Sequence, residues 1–177
     1  TFYDSLFIAP DNPFIPGVLQ ADADDAGGLR VSRDFIDLGP AFSRADRDTY
    51  RIVGGLRGEF GAGFEYEVYG NYGRTDIATT ASNTVLPDRL FAALDAVDEG
   101  EFNGGPANGN IVCRSSLDNT ALSPGSEFFP VIEPGFFTFN PDDGQCVPIS
   151  IFNGPNSVSA AGVDFITTQT TDRARLE

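Results

Sequence analysis

Polar and apolar positions alternate most regularly between Thr49 and Thr75, where the chain reads TYRIVGGLRGEF, then GAG, then FEYEVYGNYGRT. In the first half Tyr50, Ile52, Leu56 and Phe60 fall on one side, with Arg51, Arg57 and Glu59 on the other. In the second half Phe64, Tyr66, Val68 and Tyr72 alternate with Glu65, Glu67, Tyr69 and Asn71. A period of two predicts strands whose two faces meet unlike surroundings. Gly61-Ala62-Gly63 predicts a tight hairpin loop, because glycine takes the positive φ such loops need. Setting Phe60 against Phe64 puts Leu56 opposite Val68, Ile52 opposite Tyr72, Arg57 opposite Glu67, Gly58 opposite Tyr66 and Gly55 opposite Tyr69. These are favourable cross-strand matches, aromatic over glycine included. Only Glu59 against Glu65 is adverse, and it lies beside the turn.

Elsewhere the pattern is more broken. Residues 1–9 are apolar enough for a strand end or a packed loop. Asp11 to Gly17, with two prolines, predicts a fixed extended turn anchored by Phe14 and Ile15. Gln20 to Gly28 is small and acidic. Asp22, Asp24 and Asp25 lack the closing Glu of a calcium loop, so a solvated turn is expected. Leu29 to Leu38 predicts a third strand ended by Gly39-Pro40, and Ala41 to Asp48 a mixed-charge connection. Asp76 to Pro87 reads as loop, and Asp88 to Val97 as a short helix capped by Asp88, with Leu90, Phe91, Leu94 and Val97 at helical spacing. Glu99 to Asn110 reads as structureless. Glu127 to Asn140 gathers five phenylalanines, as a small loop core or an exposed patch. Val147 to Phe152 is a short apolar run, 157–166 a further short helix, and 167–177 the start of another strand.

Each arm of the hairpin has about a dozen residues, more than the five or six usual in soluble sheets, whereas a tilted membrane strand needs about 9–11. Apolar-out, polar-in strands with aromatics near their ends are the pattern of outer-membrane barrels. A soluble sandwich with one wet face alternates in the same way, so both architectures stand on pattern alone. The long stretch without extended strands after Asp76 weighs towards a barrel, whose outward loops are long and inward turns short.

Composition narrows the function. The 177 residues are enough for one domain with a core, and the formal charge of −15 argues against nucleic acid as a partner. All eleven basic residues are Arg, and His, Met and Trp are absent. No ordinary Ser-His-Asp or Cys-His arrangement can form without His. Asp142 and Asp143 lie adjacent in NPDDGQ, as in a turn. No phosphate-cradling glycine loop is present, so neither an enzyme nor a cofactor is expected. Cys113 and Cys146 would pair in an oxidising compartment, closing a loop of about 33 residues worth about 3–4 kcal/mol, or remain free thiols in a cytosolic one. Two thiols without His are too few for zinc, and no metal is expected. The chain opens at Thr1 and closes at Glu177 in mid-pattern, as a piece of something longer would.

The run RDTYRIVGGLRGEF…FEYEVYGNYGRTD, together with RLFAALDAV, VCRSS, CVPISIFNGPNSVSAAGVDFI, DNPFIPG and DLGP, resembles TonB-dependent outer-membrane receptors. The resemblance touches most of the chain, but its motifs are structural rather than catalytic, and no plug domain or energy-coupling box is present. It implies an all-β segment of a transmembrane β-barrel with a long irregular loop, from a transporter for a scarce bulky nutrient in the bacterial outer membrane. The implied partners are that membrane and an inner-membrane energy-coupling protein. Residues 1–48 would supply barrel strands and connections, 49–75 the hairpin, 76–166 an extracellular loop stapled by Cys113–Cys146, and 167–177 the next strand. Arg51, Arg57, Glu65 and Glu67 would face the lumen, or pair across strands with no ligand role. Tyr50, Ile52, Leu56, Phe60, Phe64, Tyr66, Val68 and Tyr72 would face lipid. A different class of function also fits. A shed fragment with unpaired edges could self-associate into an extracellular cross-β (amyloid-like) filament through YRIVGGL, FEYEVYG, PGFFTF and VPISIF, against the repulsion of its repeated charge.

Overall fold

The computed structural model describes residues 2–123, 125 and 132–177. In chain order the elements are β1 (Phe2–Ile8), α1 (Gly17–Ala26), β2 (Leu29–Asp34), β3 (Phe42–Phe60), β4 (Phe64–Val85) and α2 (Pro87–Leu94). They are followed by β5 (Ala96–Asp98), α3 (Glu99–Phe102), β6 (Ile111–Cys113), α4 (Arg114–Leu117), α5 (Ala160–Ile166) and β7 (Thr167–Leu176). The structure is mostly antiparallel β-sheet with few helices, and no closed barrel is found among the described residues. The chain divides into two compact units, Thr1–Ala41 with Asn83–Thr168, and Phe42–Ser82 with Gln169–Glu177.

The second unit is a three-stranded sheet in the order β3-β4-β7. β3 and β4 pair in the register that the cross-strand matches predict, with Phe60 opposite Phe64, Leu56 opposite Val68, Ile52 opposite Tyr72 and Arg57 opposite Glu67. Gly61 (φ 62°) and Gly63 (φ 83°) take the left-handed conformation at the loop, and the Gly63 N–H donates to the Gly61 carbonyl at 2.7 Å. The strands are longer than expected, 19 and 22 residues. The mixed-charge connection (Ala41 to Asp48) and the loop (Asp76 to Pro87) are strand from Phe42 and as far as Val85. Thr75, Ile77, Thr79, Thr80, Thr84 and Val85 give the second stretch a β-branched content that suits a pleated surface. β7 lies along β4, with the hydroxyls of Thr80 and Thr171 3.1 Å apart and Arg175 Nε donating to Asp76 at 2.8 Å. One number rises as its partner falls, so the two strands are antiparallel.

The first unit carries the buried core, built from Leu6, Ile8, Phe35, Leu38, Leu90, Phe91, Leu94, Ile149, Ile151, Phe165 and Ile166. β1 and β2 pair with each other, antiparallel. Their inward side chains belong to this core. The acidic stretch after Gln20 is part of helix α1 rather than a turn. Only Ala23 is buried there, and Gly27 closes the helix in the left-handed conformation. In α2 the spacing of Leu90, Phe91 and Leu94 buries all three. Its cap differs from expectation, since Pro87 opens the helix and Asp88 instead accepts from the Thr138 N–H at 2.6 Å and its hydroxyl at 2.8 Å. Val97 lies beyond the helix, in β5, opposite Val112 of β6. The apolar run Val147 to Phe152 is irregular but docks by the Ile149 N–H on the Ala93 carbonyl, 2.9 Å, burying Ile149 and Ile151. α5 forms as expected, capped by Ser159 Oγ on the Gly162 N–H. Of the five clustered phenylalanines, Phe128 and Phe129 lie outside the described residues. Phe139 stacks on Phe137 and meets Phe165 edge-on, while Phe136 stands exposed.

Three polar groups hold the first unit's irregular segments. Arg33, buried beside Phe35, donates to the Ile151 and Gly154 carbonyls and to Asp37. Burial works to raise the Asp37 carboxyl, but Arg33 and the Val158 N–H together hold it below its usual range. Asp98 organises the stretch expected to be structureless: its carboxylate accepts from the N–H groups of Gly100, Glu101, Asn108 and Gly109. Arg114 spans Asp95 and Asp11. Cys113 and Cys146 form a disulfide with Cα atoms 6.1 Å apart.

Candidate functional site

The surface with the most unusual chemistry is one face of the long sheet. Side chains two apart along a strand share a face, so the register assembles Tyr50, Ile52, Leu56 and Phe60 of β3 beside Phe64, Tyr66, Val68 and Tyr72 of β4. All eight are exposed, from 46% at Tyr66 to 73% at Leu56. Buried sheets hide such residues in a core; this one presents them to its surroundings.

The order along the face is as telling as its composition. Tyr50 and Tyr72 stand at one end, and Phe60, Phe64 and Tyr66 at the other. Between them lie Ile52, Leu56 and Val68, with Gly54, Gly58 and Gly70. The Tyr66 ring covers Gly58 so closely that a Cβ built there would lie 2.6 Å from the phenol oxygen. Ten residue steps separate Tyr50 from Phe60, about 34 Å of strand at the usual rise. At an inclination of about 45°, about 24 Å of that length lies along the perpendicular. Beyond Tyr50 and Tyr72 the same face turns polar, with Arg74, then Asp48 opposite Asp76.

The opposite face carries Arg51, Arg57, Glu65 and Glu67 together, with Val53 and Tyr69 among them. Arg57 reaches Glu65 on the diagonal at 3.9 Å rather than Glu67 directly opposite it. Arg51 Nε donates to Asn71 Oδ1 at 3.0 Å. Glu67 has no ion pair or hydrogen bond among the described residues. Nothing on this face converges as an acid–base pair, and no group of metal-ligating side chains occurs among the described residues. No helix is long and apolar enough to cross a membrane, which says nothing of strands.

Sequence reasoning did not reach the polar stretch of the sheet beyond Tyr50 and Tyr72, where Asp46, Asp48, Asp76, Ala78, Arg173 and Arg175 surround a hollow. The β-branched content of 75–85 signalled the strand, but the position of β7 beside β4 has no local signal. Comparison with protein-family models, with curated proteins and with solved structures finds no match to this chain.

Proposed function

We propose that this chain is a segment of an outer-membrane β-barrel transporter of the TonB-dependent receptor type, with β3, β4 and β7 as wall strands. The observation that carries this reading is the exposed apolar band between two groups of aromatics. Its height of about 24 Å matches the apolar band of about 25 Å on outer-membrane barrels, which is likewise flanked by aromatic girdles. The charged residues of the other face then line the lumen, where Arg51, Arg57, Glu65 and Glu67 meet water and solute. The GAG loop is the short turn on the periplasmic side. The first unit, with its own core and a disulfide suited to an oxidising compartment, is an extracellular elaboration. In the intact transporter an inner-membrane partner supplies the energy, and this segment has no catalytic role.

Spin labels read the assignment directly. Cysteine-linked labels at 52, 56 and 68 should be accessible to oxygen dissolved in the bilayer, and labels at 53, 55 and 69 to a water-soluble nickel complex. Equal accessibility of the two sets to the nickel complex would refute the membrane assignment.

The filament reading draws on the exposed edge of β3 and the same apolar face. Weighing against it, YRIVGGL and FEYEVYG are already paired within the hairpin, and VPISIF contributes Ile149 and Ile151 to a core. Stacking would have to dismantle a disulfide-closed unit.

A further inference from the structure

Two tyrosines on opposite faces of the hairpin each stand across from a glycine, Tyr66 from Gly58 and Tyr69 from Gly55. They treat it differently. The Tyr66 ring lies down on its glycine: a Cβ built at Gly58 would meet the phenol oxygen at 2.6 Å and two ring carbons at 2.7 and 2.8 Å. A Cβ built at Gly55 would instead meet Tyr69 Cβ at 3.0 Å, the Val68 carbonyl oxygen at 3.1 Å and Tyr69 Cα at 3.5 Å, before any atom of the ring. The Tyr69 ring therefore stands beside its glycine rather than on it, and the residue is 74% exposed against 46% for Tyr66.

The space that Tyr66 fills on one face thus stays open on the other, as a recess of about 250 Å³. Gly55 and Tyr69 form one row of it, Arg57 and Glu67 the next. The backbone at Leu56 and Val68 is its floor, since those two side chains point to the apolar face. Pockets for drug-sized ligands run to about 300–1,000 Å³, so this one takes a single ring.

The polar groups at its rim are of both signs and largely unspent. Glu67 has no ion pair or hydrogen bond among the described residues. Arg57 makes one long contact of 3.9 Å with Glu65, between exposed side chains, which leaves most of its five N–H donors open. The next row towards the turn sets Glu59 against Glu65. An anion would meet three carboxylates at this end of the face, and a cation would meet Arg57. An apolar ring would strip water from Arg57 and Glu67 and return no hydrogen bond. A neutral ring bearing adjacent hydroxyls satisfies every group. One hydroxyl donates to the Glu67 carboxylate and its neighbour accepts from Arg57. The C–H face of the ring lies on the negative face of Tyr69.

We propose that the Gly55 recess binds a neutral carbohydrate ring, with Tyr69 as the stacking platform and Arg57 and Glu67 as the hydroxyl partners. The inference goes beyond the membrane reading and does not depend on it. The recess needs only β3 and β4 in register, in a barrel wall or in a free sheet. Gly55 specifies the site, because a side chain there would occupy the place of the sugar.

The test uses the full chain, 13C- and 15N-labelled, in an amine-oxide detergent that carries no sugar, titrated with methyl β-glucoside. Cyclohexanol, glucose 6-phosphate and glucosamine are the apolar, anionic and cationic controls. Methyl β-glucoside should bind at least about tenfold more tightly than cyclohexanol, and more tightly than either charged sugar. It should move the Gly55 amide, the Glu67 carboxyl and the Tyr69 ring resonances, with Overhauser contacts between its C–H protons and the Tyr69 ring. Tyr69→Ala and Gly55→Val should each weaken it by at least about threefold, one by removing the platform and the other by filling the recess. Cross-strand contacts between Leu56 and Val68 show whether a variant keeps the register, and the ring-to-sugar contact on the wild type needs no variant at all. Equal binding of cyclohexanol and methyl β-glucoside, tighter binding of either charged sugar, or no contact between sugar and Tyr69 would overturn the proposal. Selective binding upholds it whether or not the spin labels place these strands in a bilayer, and failed selection with labels in lipid removes the recess alone.

Discussion

Leu56→Arg is the sharpest perturbation of the apolar band. Leu56 lies six steps from Tyr50 and four from Phe60, so it is within about 3 Å of the midplane of a band about 24 Å high. An arginine at the midplane of a lipid-facing barrel strand costs about 2–4 kcal/mol, falling to about 0–1 kcal/mol near the interfaces. Tyr50→Arg, at the edge, should therefore cost about 0–1 kcal/mol. Val53→Arg is the internal control. It is three residues from Leu56, on the other face, and comparably exposed, 57% against 73%, so on the proposed membrane reading an arginine there should cost close to nothing. The measurement is equilibrium unfolding by guanidinium from lipid vesicles for the wild type and the three variants. A loss of about 30- to 1000-fold in the folding equilibrium is expected for Leu56→Arg alone. Equal losses for Leu56→Arg and Val53→Arg, or no loss for either, would refute the depth argument.

Replacing both Cys113 and Cys146 by Ser should lower the stability of the first unit by about 3–4 kcal/mol, from the entropy of a crosslinked 33-residue separation; thermal unfolding with and without reductant gives the same comparison on the wild type. Gly58→Val must move the Tyr66 ring off the strand, and because that ring is exposed and free to swing the stability should change by no more than about 0.5 kcal/mol, with the displacement visible as altered Tyr66 ring resonances. Arg33→Met leaves Asp37, whose side chain is 1% exposed, as an uncompensated buried charge. The loss should be about 3–5 kcal/mol in a denaturant titration, and Arg33→Met with Asp37→Leu should recover much of it. The Asp98 carboxyl is held below its usual range by the Asn108 N–H first and then by those of Gly109, Glu101 and Gly100. A depressed folded-state pKa stabilises above the unfolded value of about 3.9, and that stability is lost as pH falls below it. Asp98→Asn should flatten the acid limb of the stability–pH curve, and an unchanged limb would refute the assignment.

What could be read from the sequence was whatever local chemistry repeated. The hairpin register follows from residues at most a few dozen apart that all agree, apolar on apolar, arginine on glutamate, aromatic on glycine. The ends of the same strands were misread because Ser, Asn and Thr suggest a loop by composition, although Thr75, Thr79 and Thr84 are β-branched and the alternation continues. Helix α1 was misread for the opposite reason. Its aspartates suggest a turn, while its alanines and the Gly27 stop belong to a helix. Asp88 has the identity of a cap but serves Thr138, a partner 50 residues away. The hollow at Ala78 was out of reach, since it requires β7 to lie beside β4 across separations of 91 and 99 residues.

The first unit is interrupted in sequence by the hairpin, and this sets an order of events during synthesis. Leu6, Ile8 and Phe35 share their core with Leu90, Phe91, Ile149 and Phe165, and Arg33 waits for a carbonyl 118 residues later. Contacts so distant form slowly, because the loop must close before they reward it. The hairpin between them needs only its own turn. Its apolar face is therefore complete while the other unit is still an open chain, and for that interval it is the stickiest surface on the nascent protein. A holdase that covers Tyr50 to Tyr72, or delivery of the hairpin into lipid, has its greatest effect then, before Ile166 emerges and the core can close.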